Sequence, residues 1–229
     1  MGLSLEARIT LLVLLAAFIH ACWNALVKAG RDPLLAIATV SGVSCAISAA
    51  LLPFVAPPAR AAWPYIALGL LAHSGFKVFL ILAYRLGDLS RVYPLARGNA
   101  PLVVAAFAGL VAGEALSRGE LAGVALVSLG LASLTFEPRR AGRADAWAVV
   151  CALLTGVFIG AYTLVDGVGV RASGSFLGYS AWLFFLDGLP MIAVAIALRR
   201  RSLGRYLRGE GRTALVAGCL SLAGYFIVV

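Results

Sequence analysis

An all-α membrane helix bundle is the fold class that this sequence predicts, and three observations predict it. The chain has 229 residues, of which 62% are hydrophobic and 13% are charged. A soluble chain is about half apolar and roughly a quarter charged, so no soluble fold of this size buries so much apolar surface. Apolar runs of about 18 residues or more, the length that spans a bilayer, recur along the chain. They are apolar on every face, whereas outer-membrane strands alternate apolar and polar positions.

Clusters of helix-breaking residues divide the chain into eight predicted helices, as at 30–33 (Gly-Arg-Asp-Pro) and 56–58 (Ala-Pro-Pro). The run at 11–21 could be a signal-peptide core, but it continues to Val27 and further spans follow. We therefore interpret it as an uncleaved first helix. Most connectors are short, which predicts antiparallel neighbours. The predicted spans are 8–28, 33–56, 62–84, 94–114, 119–136, 145–168, 175–198 and 213–229.

The basic residues predict the orientation of these helices. One set of loops holds four arginines, and the other holds thirteen of the 19 basic residues. Because basic loops stay in the cytoplasm, the loops at 28–33, 85–93, 137–145 and 199–212 are predicted to be cytoplasmic and the N-terminus periplasmic. The bacterial inner membrane is the predicted location. The same rule accounts for the net charge of +9, so no nucleic-acid partner is expected.

Two parts of the chain resemble each other. Residues 69–76 and 218–225 both read Gly-x-Leu-x-x-x-Gly-aromatic, at an offset of 149. Helices 1–3 thus resemble helices 6–8, so the repeat unit is five helices, and an odd number inverts the second unit, as in many transporters. Chance similarity between apolar segments is the alternative. At an offset of 139, further matches pair Leu14-Leu15 with Leu153-Leu154, Trp23 with Tyr162 and Asn24 with Thr163.

The repeat predicts two domains, 8–137 with five helices and 145–229 with three. Val229 corresponds to Leu80, inside helix 3, so the counterparts of 81–136 are missing. We expect the chain to be an incomplete or truncated form of a ten-helix bundle, with eight helices of a 5+5 inverted repeat.

Two motifs lie at the ends of predicted helices. Residues 20–28 read His-Ala-Cys-Trp-Asn-Ala-Leu-Val-Lys, and residues 87–101 read Gly-Asp-Leu-Ser-Arg-Val-Tyr-Pro-Leu-Ala-Arg-Gly-Asn-Ala-Pro. Both are similar to motifs of the drug/metabolite transporter (DMT) superfamily, in its EamA-like branch, and Gly113-Glu114 resembles the Gly-Glu that closes helix 4 there. The resemblance implies two EamA domains with a central pathway among helices 1, 3, 4, 6 and 8. It also implies transport of a small metabolite.

Polar side chains inside the predicted helices are the candidate binding groups. A charge at mid-membrane costs about 2.5–3.5 kcal/mol on the insertion scale, so it usually has a partner or a role. His73 and Lys77 share one face of helix 3, and Arg97 follows the proline that opens helix 4. Two positive charges in one cavity favour a substrate with an anionic group. The predicted pathway residues are His20, Trp23, Asn24, His73, Lys77, Tyr93, Arg97 and Tyr162.

Structural interpretations of these residues remain open. Asp166 and Arg97 can lie at the membrane interface, and His20 can hydrogen-bond a neighbouring helix. Asp187 can pair with Lys77 and leave a neutral pathway suited to zwitterionic solutes. Residues with packing or anchoring alternatives are Trp23, Phe76, Tyr84, Lys28 and Glu114. Small-residue pairs that predict close helix packing are Gly109 with Gly113 and Gly156 with Gly160.

Secondary transport is the predicted function, since no nucleotide-binding motif appears, and export of an amino acid or an organic anion is favoured. No hydrolase elbow, zinc-protease motif or phosphate loop is present, so an enzyme is not expected, nor is a metal or an organic cofactor. The four cysteines lack metal-ligand spacing and are predicted to be free, buried thiols. The expected partners are the bilayer, the solute, a proton or exchanged solute, and a second copy in a homodimer. A structural or partner-binding membrane protein is the alternative.

Overall fold

The fold is all-α throughout residues 4–30, 32–111, 117–133 and 143–228, which the computed structural model describes. No strand occurs in these ranges, so the all-α part of the predicted fold class is confirmed there. Two 3-10 turns, Leu52–Phe54 and Arg60–Ala62, join α2 to α3. The helices are α1 (Leu5–Ala29), α2 (Pro33–Leu51), α3 (Trp63–Leu86), α4 (Leu89–Val111), α5 (Arg118–Ser133), α6 (Arg143–Ser173) and α7 (Phe176–Val228).

Five helical segments within these ranges are long and apolar enough to cross a membrane: Ala7–Ala29, Pro33–Phe54, Arg60–Leu86, Ala146–Ser173 and Phe176–Ile227. Large apolar side chains on them point outward, as Leu71 and Leu198 do with 70% and 63% of their surface exposed. Water disfavours such a surface and lipid covers it. The segments are therefore compatible with a multi-pass membrane protein. The predicted spans 94–114 and 119–136, in the regions of α4 and α5, both run into residues outside the described ranges.

Helix ends lie where breaker residues and caps place them. Asp32 caps α2 through its Oδ1 atom, which accepts hydrogen bonds from the backbone N–H groups of Leu34 at 3.0 Å and Leu35 at 3.4 Å. Ser117 and Glu120 form a capping box at α5. Gly174 adopts the left-handed conformation, with φ of 68°, between α6 and α7.

Two helix limits in the structure differ from the predicted ones, and the reasons can be identified. Helix 4 was expected to open at Pro94, but α4 begins at Leu89 and contains both Pro94 and Pro101. Asp88 supports the early start, because its backbone carbonyl accepts the N–H of Val92 at 2.9 Å. Helix 6 was expected to end at 168, but α6 continues to Ser173. Gly169 near its end packs closely against Tyr179 rather than breaking the helix.

The predicted loop at 199–212 is wrong, because residues 200–212 are helical. The two predicted helices, 175–198 and 213–229, lie in a single element, α7, which has one non-helical residue at Arg199 with φ of −135° and ψ of 19°. Glycines at 204, 209 and 211 each cost about 1 kcal/mol in a helix interior, but the arginines and leucines between them are good helix formers.

The chain divides into two compact units, the first formed by residues up to Val55 together with those from Phe184 onward. In it, both segments of α7 contact α2. Gly188 lies against Cys45 and Gly42 against Ile192, so the first segment runs antiparallel to α2. The second segment runs the other way, since Ala214 lines a cavity with Ala36 whereas Gly218 lies against Val43. The chain therefore reverses direction at Arg199, whose Nε lies 3.1 Å from the Oδ2 atom of Asp32.

The second unit spans Ala56–Leu183 and is centred on α6, on which α3 and α4 pack. A Cβ atom at Gly156 would lie 2.6 Å from the carbonyl oxygen of Ala96, and one at Gly160 would lie 2.6 Å from the Cβ of Val103. This contact between α4 and α6 confirms the packing that the Gly156 and Gly160 spacing predicts. The other predicted pair includes Gly113, which lies outside the described residues.

Candidate functional site

Three residues at four-residue intervals define one buried face of α3. Gly69, His73 and Lys77 follow each other at i, i+4 and i+8, and such positions lie on the same side of a helix. Only 4% of His73 and 6% of Lys77 is exposed. The sequence-predicted histidine and lysine thus lie inside the second unit.

The facing residues come from α6 and from the first turn of α7. The Nε2 atom of His73 lies 2.9 Å from the Oδ2 atom of Asp166, and the hydroxyl of Tyr179 donates to the Oδ1 atom of Asp166 at 3.0 Å. Asp166 and Tyr179 are both fully buried. One carboxylate therefore joins three helices, and we refer to His73, Asp166 and Tyr179 as the buried triad.

Two glycines make room for the buried triad. A Cβ atom at Gly69 would lie 2.7 Å from the Oδ1 atom of Asp166, and a Cβ atom at Gly169 would lie 2.5 Å from the hydroxyl of Tyr179. Real Cβ atoms do not approach so closely, so a larger residue at either position would push the triad apart. The carboxylate and the phenol consequently lie directly against helix backbone.

Aromatic rings cover the imidazole of the buried triad. The ring of His73 stacks on Tyr162 with 4.1 Å between centroids and 15° between planes. Phe76 meets the same tyrosine edge-on at 5.8 Å. The stacking fixes the plane of the imidazole and keeps its Nε2 atom aimed at Asp166.

The contact between His73 and Asp166 can carry one exchangeable proton. A protonated imidazole beside a carboxylate is an ion pair, and loss of that proton leaves a neutral imidazole beside a carboxylate, with a net charge of −1. Because all three members are buried, an uncompensated charge there would cost several kcal/mol. Lys77 lies one turn away on α3 and adds a further charge to the same region.

The other predicted residues of the second unit lie on α4. Tyr93 and Arg97 are half-buried and interact electrostatically with Tyr84 of α3. Asn99 follows half a turn later and donates from its Nδ2 atom to the carbonyl of Leu153 on α6 at 2.9 Å. Tyr84 is almost completely buried, which agrees with the packing interpretation of this residue.

The remaining predicted residues form a cluster in the first unit. The indole N–H of Trp23 donates to the Nδ1 atom of His20 at 2.9 Å, and the Nδ2 atom of Asn24 donates to the backbone carbonyl of His20 at 2.7 Å. An Nδ1 atom that accepts a hydrogen bond carries no proton, so this imidazole is neutral. The ring of His20 lies against Gly224 of α7, whereas the hydrogen bond at its Nδ1 atom comes from Trp23 on α1 itself.

The structure thus brings His73 into contact with Tyr162 in one unit, and Trp23 and Asn24 into contact with His20 in the other. Sequence reasoning missed the remainder of the buried triad, since Asp166 was weighed as an interfacial residue and Tyr179 was not considered. The i, i+4 spacing of Tyr162 and Asp166 was the available signal. Lys77 and Asp187 fall in different units, so their pairing stays a prediction. Glu114 lies outside the described residues.

The prediction that all four cysteines are free, buried thiols is partly wrong. All four cysteines are free, and Cys45 and Cys151 are buried as expected. Cys219 is exposed on the surface of α7, contrary to the prediction. Within the described ranges, no group of three or more His, Cys, Asp or Glu is arranged to hold a metal ion.

Comparison of the chain with family models, with curated proteins and with solved structures finds no match. The family resemblance carried by residues 20–28 and 87–101 therefore stays a prediction. What function can be proposed depends on these motifs and on the geometry of the two clusters.

Proposed function

We propose that the chain is a secondary transporter, similar to the EamA-like branch of the drug/metabolite transporter superfamily, that moves a small metabolite across the bacterial inner membrane. The observation that carries the proposal is the buried triad. Its members lie on α3, α6 and α7, all of which include segments long enough to span a membrane. Ionisable residues inside membrane segments are costly and commonly mark proton relays or substrate pathways.

Contacts of the repeated glycine motif support the inverted repeat. Gly75 of the first copy lies against the ring of Phe158, and Gly224 of the second copy lies against the ring of His20. At the offset of 139, the counterpart of Phe158 is residue 19, directly beside His20. The two motif copies thus pack on α6 and α1 at positions that differ by one residue in the proposed alignment.

The first glycine of each copy gives the same result. Gly69 lies against Leu183 of α7, and Gly218 lies against Val43 of α2. At the offset of 139, the counterpart of Leu183 is residue 44, again one position away. Both comparisons favour an inverted repeat divided at 8–137 and 145–229.

An anionic solute, such as an amino acid or an organic anion, is the substrate class that we infer. Lys77 and Arg97 supply positive charge in the second unit, and a carboxylate that loses its hydration regains charge-assisted hydrogen bonds from such groups. The buried triad supplies a place for a coupling proton. The charged groups of α3 and α6 around it are Lys77, His73 and Asp166, with the phenols of Tyr162 and Tyr179 alongside.

The experiment that tests transport uses a variant that the repeat itself suggests. The counterparts of His73 and Asp166 are Leu222 and Val27, which are both buried. The double substitution His73→Leu with Asp166→Val replaces a paired charge by apolar side chains that already occupy equivalent positions, and such exchanges are often neutral for stability. We expect the variant to lose about 1–3 kcal/mol of stability, because the buried hydroxyl of Tyr179 is left without its acceptor, and to lose proton-driven solute flux in liposomes.

The matched control carries Val27→Ile with Leu222→Met, two conservative substitutions in the first unit, and should transport like the parent. Equal flux from the His73→Leu, Asp166→Val variant would contradict the role of the triad. Turnover of a solute without flux would indicate an enzyme instead, and neither flux nor turnover for a panel of solutes would favour the structural or partner-binding alternative.

We further propose that the N-terminus is periplasmic and that the basic segments at 28–33, 85–93, 137–145 and 199–212 face the cytoplasm. The thirteen-to-four distribution of basic residues supports this orientation. A cysteine introduced at Gly204 in a cysteine-free background should resist a membrane-impermeant thiol reagent in intact cells. Labelling from the periplasm would reverse the proposed topology.

A further inference from the structure

Four arginines lie on one face of the second segment of α7. Arg201, Arg205, Arg208 and Arg212 are spaced by four, three and four residues, which places them within about 60° of each other around the helix axis. All four are exposed, and they extend along about 16 Å of helix. We refer to them as the basic face.

The opposite side of the same helical segment packs against its own unit. Leu203 lines a cavity with Gly42 and Val43 of α2, and Tyr206 lines another with Leu35 and Asp32. The hydroxyl of Tyr206 also lies 3.2 Å from where a Cβ atom of Gly30 would be. This packing fixes the rotation of the helix, with Arg205 at the edge of the cavity beside Asp32 and the other three arginines outside both cavities.

The arginines of the basic face outnumber the nearby carboxylates, Asp32 and Glu210, which line one cavity with Arg205. Among the described residues, none of its four arginines forms a salt bridge, whereas the adjacent Arg199 lies 3.1 Å from Asp32. The polar contact within the face is the bond from the Nε atom of Arg208 to the carbonyl of Gly204 at 3.3 Å. Four positive charges thus point outward from one helix surface.

We propose that the basic face binds the phosphate groups of anionic phospholipids in the membrane leaflet next to it. Apolar stretches of membrane-spanning character precede and follow it within α7, so the segment between them lies at a membrane surface. Basic amphipathic helices at that depth attract anionic lipid, and guanidinium groups bind phosphate oxygens in pairs.

The alignment of the arginines distinguishes this proposal from the positive-inside rule. That rule counts basic residues in a loop and requires no particular geometry. Here the segment is helical and its arginines share one face, which a lipid surface can contact all at once. The proposal does not depend on transport, because it concerns only how the first unit meets the bilayer.

The test measures retention of phosphatidylglycerol and of phosphatidylcholine by the purified full chain in a neutral detergent, using native mass spectrometry together with melting curves. We expect the parent to retain phosphatidylglycerol in preference to phosphatidylcholine. Its melting temperature should be higher in the presence of phosphatidylglycerol. Substitution of all four arginines of the basic face by Gln should lower this retention at least tenfold. Its melting curve without lipid shows whether the variant is folded.

Two controls distinguish the effect of the basic face on lipid retention from the effect of net charge. The first removes the same charge elsewhere, through Arg→Gln at the exposed positions Arg8, Arg60, Arg118 and Arg171, and should retain the lipid. The second keeps the composition and disperses the face, through Gly204→Arg, Arg205→Gly, Arg208→Gly and Gly209→Arg. A Cβ atom at Gly204 or Gly209 meets nothing within 4 Å, so the new arginines fit, and we expect this variant to lose the preference.

Several results would overturn the proposal. These are equal retention of both lipids by the parent, an equal loss in the first control, or parent-like retention in the dispersed variant. Equal protection by inorganic phosphate at the same concentration would replace it by a site for free anions. Unchanged lipid retention in the four-Gln variant, joined by its loss of an acidic protein partner, would instead make the face a protein-binding surface.

Discussion

The contact of α3 with α6 in the second unit and the contact of α1 with α7 in the first unit use the same glycine motif but surround different chemistry. In the second unit, His73 and Asp166 lie where the two helices meet. At the positions that the proposed repeat makes equivalent, the first unit has Leu222 and Val27. The helix packing is thus shared by both copies, whereas a buried ionisable pair occurs in one of them. Packing alone therefore does not require the charges, which is why we assign them to function.

The largest expected loss of stability comes from removing Asp166, the carboxylate that distinguishes the second unit in this comparison. Asp166→Ala removes the carboxylate and leaves the buried groups of His73 and Tyr179 without their shared partner, which should lower the free energy of unfolding by about 3–5 kcal/mol. Val27→Ala at the equivalent position removes only two methyl groups and should cost about 1–2 kcal/mol. Denaturation of both variants in the same detergent measures the difference, and equal losses would show that the carboxylate has no special role.

A second comparison concerns the glycine beside Tyr179. Gly169→Ala places a methyl group against the phenol ring and should destabilise the chain by about 1–3 kcal/mol. Gly204→Ala is the matched control, because its new Cβ meets nothing within 4 Å and better helix propensity should stabilise it by about 0.5–1 kcal/mol. Melting temperatures should therefore shift in opposite directions. A shift of the same sign in both would mean that the phenol moves aside at little cost.

Variants of Lys77 distinguish a role in substrate binding from a role in a structural ion pair. Lys77→Gln and Lys77→Met remove its charge, and both should reduce flux of an organic anion at least tenfold while expression stays at the parent level. Asp187→Asn is the companion variant. If all three fold poorly in the same way, a structural ion pair explains Lys77 better than substrate binding, and normal anion flux in both Lys77 variants would end the anion proposal.

The smallest expected effect lies in the neutral cluster of the first unit. Trp23→Phe removes the donor to the Nδ1 atom of His20 and keeps most of the ring volume, so it should cost about 0.5–1.5 kcal/mol, the value of one hydrogen bond. Thermal unfolding of the purified variant checks this. A loss as large as that of Asp166→Ala would mean that the His20 imidazole is not the neutral acceptor described above.

Sequence patterns predicted helices reliably where breakers are strong. Pro33 opens α2 after the Asp32 cap, and Gly87 follows α3 at its end, both close to the predicted limits. The segment at 200–212 was mistaken for a loop because its arginines and glycines resemble a polar connector. Its helical state depends on packing of residues such as Leu203 against α2, and composition does not report that contact.

The candidate site was predictable only in part for a similar reason. His73 and Lys77 were found because a charge in an apolar run is visible in sequence. Their surroundings were not, since Asp166 lies 93 residues after His73 and meets it through helix packing. Tyr179 carried no signal at all, because a tyrosine near a helix start is common and its role depends on the turn at Gly174.

The first unit is formed by two separate parts of the chain, which are synthesised at different times. Asp32 caps α2 and also contacts Arg199, 167 positions later in the chain. At about 5–20 residues per second, a ribosome needs roughly 8–33 s to cover that distance. The second unit, being contiguous, can assemble during this interval, while α1 and α2 already lie in the bilayer. In the proposed membrane topology, lipid therefore covers the buried face of α2 until the second segment of α7 is synthesised.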